Sequence, residues 1–161
     1  MEKKLAKEFN NKGFDLFKQG SYLEAIAEFD KALELNQNYK EALYNKALAL
    51  FLLKKHEESL NEINKALLIN EKYSKAINLK GLIFTSLDRF YEAATEYDRQ
   101  TESVGSEDGS FYFNKGLALS NFDYYEAIEN FKKAIECNFD VDQSQKELSE
   151  LEKKINNLNG M

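Results

Sequence analysis

Nucleophilic and metal chemistry need side chains that can be brought together, and this sequence supplies few of them. It holds one histidine, His56, and one cysteine, Cys137. A single histidine cannot build a His-rich metal site, and its place in a short polar turn predicts a solvated ring. Cys137 stands where Leu35 and Ile69 stand in earlier segments. That predicts a small buried apolar spacer and not a reactive thiol. No Gly-x-Ser-x-Gly, P-loop or Gly-x-Gly-x-x-Gly motif occurs. The adjacent carboxylates Glu57 and Glu58 suit the first turn of a helix, where the dipole favours negative charge. The residues therefore predict a chain that is not an enzyme, with no cofactor and no metal.

The elements that could position a binding site are helices. The chain has 161 residues, no proline and seven glycines, which argues against turn-rich all-β folds and Pro-rich linkers. Hydrophobic residues make up 43% and charged residues 31%, a globular balance rather than a disordered one. The formal charge of −6 makes nucleic acid a poor partner. The longest apolar run, Ala47 to Leu53, is far below the ~20 residues of a membrane span. The N-terminal Met-Glu-Lys-Lys-Leu-Ala-Lys-Glu has no apolar leader core, and a lone cysteine suits a reducing compartment. A cytoplasmic protein is expected.

Four series repeat with a period of 34. Ala25, Ser59, Ala93 and Ala127 keep it, as do Phe29, Ile63, Tyr97 and Phe131. Ala32, Ala66, Gln100 and Ala134 follow with one misfit, Gln100. Gly13, Ala47 and Gly81 keep it too, but Gly116 comes one place late. Each unit reads as two helices with apolar residues at helical spacing. Where Gly13 faces Ala25, small residues let the two helices approach closely. Ser21 with Glu24 and Asp123 with Glu126 predict capping boxes. Asn36, Asn70 and Asn138 are expected to close second helices in the left-handed conformation. The late Gly116 predicts one residue gained between 103 and 110, giving a longer loop, and one lost near Asn121, giving a tighter turn. Lys12, Lys46, Lys80 and Lys115 precede the small residues; they are read as inherited repeat sequence with packed stems and solvated tips, a ladder with glutamates being the alternative. Leu148, Leu151, Ile155 and Leu158 predict an amphipathic helix over 142–158 that caps the stack, with a short dimerising coiled coil as its rival.

The pattern resembles the tetratricopeptide repeat family. The bulky slot holds Phe9, Leu43, Ile77 and Tyr112, the small slot Gly13, Ala47, Gly81 and Gly116, and the second-helix slots the series above. The usual proline after the second helix is missing in every unit. The resemblance implies an all-α, right-handed superhelical α-solenoid forming a single domain. Its repeats would span about 6–39, 40–73, 74–107 and 108–141.

The resemblance also implies a concave groove, lined by first helices, that holds an extended or helical segment of another protein. The groove slots fall on Asn10, Phe14 and Phe17; Tyr44, Asn45, Leu48, Phe51 and Leu52; Lys75 and Asn78; and Phe113 and Asn114. A two-carboxylate clamp for chaperone C-termini, known in the family, is matched only by Asn45 and Lys75; Asn10, Phe14 and Leu79 stand in its other places. A non-catalytic adaptor, monomeric or weakly dimeric, is the leading expectation. A structural subunit of an assembly, or a chaperone shielding a client segment, is the alternative.

Overall fold

Apolar residues every three or four positions, with charged residues between them, make helices whose buried stripe must find a partner. The computed structural model describes residues 1–104 and 108–159, and among these it forms nine helices and no strand. The chain divides into two compact units, Met1–Ile83 and Phe84–Met161. No helix among the described residues is long and apolar enough to cross a membrane.

The first unit holds α1 (Glu2–Lys18), α2 (Tyr22–Leu35), α3 (Lys40–Leu52), α4 (His56–Ile69) and most of α5 (Ser74–Ser86). The small-residue rule holds at its first helix pair. A Cβ added to Gly13 would lie 2.7 Å from Phe29 Cε1 and 3.1 Å from the Ala25 carbonyl oxygen. Only a missing side chain lets α1 sit this close to the fully buried Phe29 ring. In the next pair Ser59 takes the alanine slot, and its buried hydroxyl donates to the Ala47 carbonyl at 2.7 Å.

The second unit holds α6 (Phe90–Val104), α7 (Gly109–Leu119), α8 (Tyr124–Glu136) and α9 (Val141–Asn159). Gly116 meets Phe131 as Gly13 meets Phe29: an added Cβ would lie 2.8 Å from its ring. Leu151 of α9 is buried in one cluster with Leu119, Ala127 and Phe131, and Leu148 packs against that cluster.

The turns differ from several expectations. Gly20, Lys54 and Asp88 are left-handed, with φ of 80°, 62° and 57°. They close α1, α3 and α5 at the same 34-residue period. Behind each, the next N–H bonds back five residues: Ser21 to Leu16, Lys55 to Leu50 and Arg89 to Phe84. These are Schellman closures. They explain why Ser21, although the N-cap of α2, makes no side-chain capping bond: at ψ 65° it lies outside the extended region that aims a cap. Asp123 does cap, accepting from the Glu126 N–H at 3.0 Å.

Asn36 and Asn70 are extended, with φ of −150° and −145°, and only Asn138 is left-handed. The first two act through their side chains instead. Their Oδ1 atoms accept from the N–H groups of Asn38 and Lys72, at 3.3 and 3.0 Å, forming Asx turns. The turn near Asn121 is not tighter. Residues 120–123 separate α7 from α8, whereas 19–21, 53–55 and 87–89 separate the earlier pairs. The helix itself ends earlier, and Asn121 Nδ2 donates to the Leu117 carbonyl at 3.1 Å. The longer loop expected before α7 falls at 105–107, outside the described residues.

Cys137 is exposed, not buried, because it lies beyond the last turn of α8 as its C-cap. Its counterpart Ile69 is exposed as well.

Candidate functional site

The expected groove residues separate by unit. α1 carries Asn10, Phe14 and Phe17; α3 carries Tyr44, Asn45, Leu48, Phe51 and Leu52; Lys75 and Asn78 lie on α5. Phe113 and Asn114 lie on α7 of the second unit, so they form a separate set.

Within the first unit, Asn45 Nδ2 donates to Asn10 Oδ1 at 3.0 Å, joining adjacent first helices through a buried amide. The Phe14 and Phe17 rings are parallel, with centroids 6.3 Å apart, and Lys18 Nζ lies 5.2 Å from the Phe14 centroid. Phe17 also leans on Tyr22 at 5.4 Å, and one repeat later Phe51 leans on His56 at 5.3 Å. His56 is therefore half-buried against an aromatic ring and not fully solvated, and its enclosed Nδ1 makes no hydrogen bond. Tyr44 packs on Tyr73 at 5.6 Å, with Lys40 Nζ over the Tyr73 ring.

Of the expected groove residues, two are exposed apolar side chains. Phe14 and Leu52 are each 43% exposed, while Phe17, Tyr44, Asn45, Leu48 and Phe51 are half-buried. Lys75 is exposed and Asn78 half-buried. In the second unit, Phe113 packs on Phe131 and Phe139 at 5.8 and 5.9 Å, so its ring serves the core there. Asn114 is half-buried.

The chemistry of this face is that of contact. Burial raises the Tyr44 phenol. Burial, with smaller contributions from Glu41 and Tyr44, pushes Tyr73 up to about 12. Both stay protonated near neutrality and offer hydroxyls rather than bases. Among the described residues, no group of three His, Cys, Asp or Glu side chains could hold a metal ion. Sequence reasoning missed Tyr22, His56 and Tyr73 as ring partners. The recurrence of an aromatic ring at 22 and 56, and at 39 and 73, is the signal that could have found them.

Three of the lysines that precede the small residues, Lys12, Lys46 and Lys115, pair with carboxylates within their own units. Lys12 pairs with Glu28 at 3.0 Å. Lys46 Nζ sits 2.7 Å from Asp30 and 3.5 Å from Glu62, tying α2 to α4. Lys115 bridges Asp98 and Glu126, each at 2.5 Å. The side chains of Lys46 and Lys115 are only 19% and 11% exposed, so their tips are not solvated, because carboxylates from two helices converge on each.

Residues 11–77 match the family model for the tetratricopeptide repeat. No curated protein matches the chain in sequence. Among solved structures, MamA (residues 41 to the end) from Desulfovibrio magneticus RS-1 aligns with a TM-score of 0.85 at 20% identity. That alignment covers 94% of this chain and 85% of MamA. YrrB, described as a tetratricopeptide-repeat protein with an unusual peptide-binding site, aligns at 0.77 and 21% identity, covering 92% and 77%. The first such domain of Spaghetti (RPAP3), bound to the HSP90 peptide SRMEEVD, aligns at 0.69 and 26% identity, covering 75% and 98%. Residues 11–77, under half of the chain, thus carry the tetratricopeptide-repeat match, and the described helices share the all-helical, paired-helix fold of these structures.

Proposed function

We propose that the chain is a non-catalytic interaction module, and that the α1 and α3 face of its first unit holds an apolar segment of a partner protein. The carrying observation is the pair Phe14 and Leu52, large apolar side chains left 43% exposed on the helices where the family's groove slots fall. Half-buried Phe17, Leu48 and Phe51 back them, and the Asn10–Asn45 amide pair stiffens the same two helices. An aromatic and aliphatic centre with polar surroundings is the composition of a binding anchor. Peptides are held by similar folds, as the RPAP3 and YrrB structures are described. An acidic C-terminus is a poorer fit here. Phe14 and the 3%-exposed Leu79 stand where the carboxylate clamp has an amide and a guanidinium.

A photo-reactive amino acid at position 52 tests this. The segment it cross-links is sequenced and synthesised, and its affinity is measured for the wild type and for Phe14→Glu. The variant is expected to bind at least about tenfold more weakly, about 1.4 kcal/mol, with unchanged helicity. Equal affinity, or cross-links only from positions on other helices, overturns the assignment.

A further inference from the structure

We propose that the seam between α2 and α4 is a second docking surface, for a partner-protein segment that sets a basic side chain beside an aliphatic one. Two clefts of about 510 and 530 Å³ adjoin there and share Gln37 and Lys65. The first is walled by Asp30 and Glu34 of α2 and Glu62 of α4, and floored by Leu43 and Lys46 of α3. The second ends on Leu68 and Ile69. Leu68 is 88% exposed and Ile69 39% exposed. This surface uses a different side of α3 from Tyr44, Leu48 and Phe51, and it stands independently of the face proposed above.

The polar end indicates the sign of the occupant. Lys46 lies 2.7 Å from Asp30, and both Lys46 and Lys65 approach Glu62 Oε1, at 3.5 and 2.9 Å. Three carboxylates thus face two ammonium groups, leaving negative charge in excess. Glu62 is 6% exposed and its Oε2 is enclosed, so it adds its charge to the wall from beneath the surface. The carboxylates an incoming segment can reach are Asp30, whose side chain is 46% exposed, and the exposed Glu34. This acidic wall belongs to a cleft whose neighbour ends on exposed aliphatic carbon. A guanidinium carries five donors in a planar fork and fits such a carboxylate wall. An adjacent Leu, Ile or Val would cover Leu68. An anionic segment would meet like charge.

The probe is a capped hexapeptide of alternating Arg and Leu, titrated into the full chain and followed residue by residue by NMR. Peptides alternating Arg with Ser and Asp with Leu are the controls. Shifts are expected on Asp30–Gln37 and Glu62–Ile69, with affinity falling about tenfold in Leu68→Ser and clearly in Glu34→Gln. Both positions are on the surface, so folding is preserved. Four results overturn the proposal: shifts confined to α1 and α3, equal binding by the Arg-Ser peptide, indifference to Leu68→Ser, or no binding of the Arg-Leu peptide. Self-association of the chain that Leu68→Ser abolishes also overturns it, by assigning the seam to a second copy.

Discussion

Tyr97 occupies the slot that holds Phe29, Ile63 and Phe131 in the other repeats, and it is fully buried. Its hydroxyl has no hydrogen-bond partner, and burial drives its ionisation far above the usual range. A buried hydroxyl without a partner forfeits the bonds it made to water. Tyr97→Phe keeps the ring and its edge contact with Phe111. It is expected to raise stability by about 1 kcal/mol in urea unfolding; a loss would show that the hydroxyl is satisfied after all. The aromatic slot itself is legible in the period of 34. The isolation of the hydroxyl is not, since it depends on what neighbouring helices place opposite it. Cys137 teaches the same lesson from the other side. Alignment with Leu35 and Ile69 suggests a buried spacer, but a residue past the final turn has no partner helix above it.

At the scale of the element, helix ends were harder to read than helix faces. Periodicity identifies the buried stripes of α1 to α4 directly. The closures depend on backbone handedness, which Gly20 advertises but Lys54 and Asp88 do not. A side chain in that conformation costs about 1–2 kcal/mol in a left-handed helix, and glycine avoids the cost. Lys54 is exposed, makes no side-chain contact that the closure needs, and only its backbone N–H bonds, to Phe51. Lys54→Gly is therefore expected to raise the unfolding free energy by up to about 1 kcal/mol, offset in part by the greater freedom of glycine in the unfolded chain. A variant less stable than the wild type in thermal or urea unfolding would contradict this. The Asn36 and Asn70 closures were misread for a related reason. Asparagine suits both a left-handed cap and an Asx turn, and the spacing of apolar residues does not distinguish them. On the functional face, residue types and helix assignments were legible, but the stacking of Phe17 on Tyr22 and of Phe51 on His56 was not. It requires the turn geometry that brings the start of one helix onto the end of the last.

Across the whole molecule, ion pairs recur within each unit: Lys12–Glu28–Lys31 and Lys46 with its carboxylates in the first, Lys115 with its carboxylates in the second. The Lys31 hydrogen bond, opposed by burial and helped by Lys12, holds the Glu28 carboxyl below its usual 4.5. A carboxylate with a lowered value in the folded state contributes stability that is complete above its unfolded value. That contribution drains away as pH falls through the folded one. Urea unfolding of the wild type and Glu28→Gln between about pH 7 and pH 3 is expected to show the gap between them shrinking below about pH 4.5. A constant gap across that range would remove Glu28 from the acid response. The lysine positions were legible as a period, but the double bridges of Lys46 and Lys115 were not, because each needs a carboxylate from the neighbouring repeat.

The hairpin between α7 and α8 carries a consequence for how such chains change. Eleven positions separate Gly116 from Ala127, where twelve separate Gly13 from Ala25. Yet the glycine meets a phenylalanine ring in both pairs, at 2.8 and 2.7 Å from an added Cβ. The shortfall was absorbed by an earlier helix end and a bend tied down by Asn121, and Ala127 and Phe131 remained fully enclosed. Duplicated copies can therefore drift in length at their bends while the letters that touch keep their meaning.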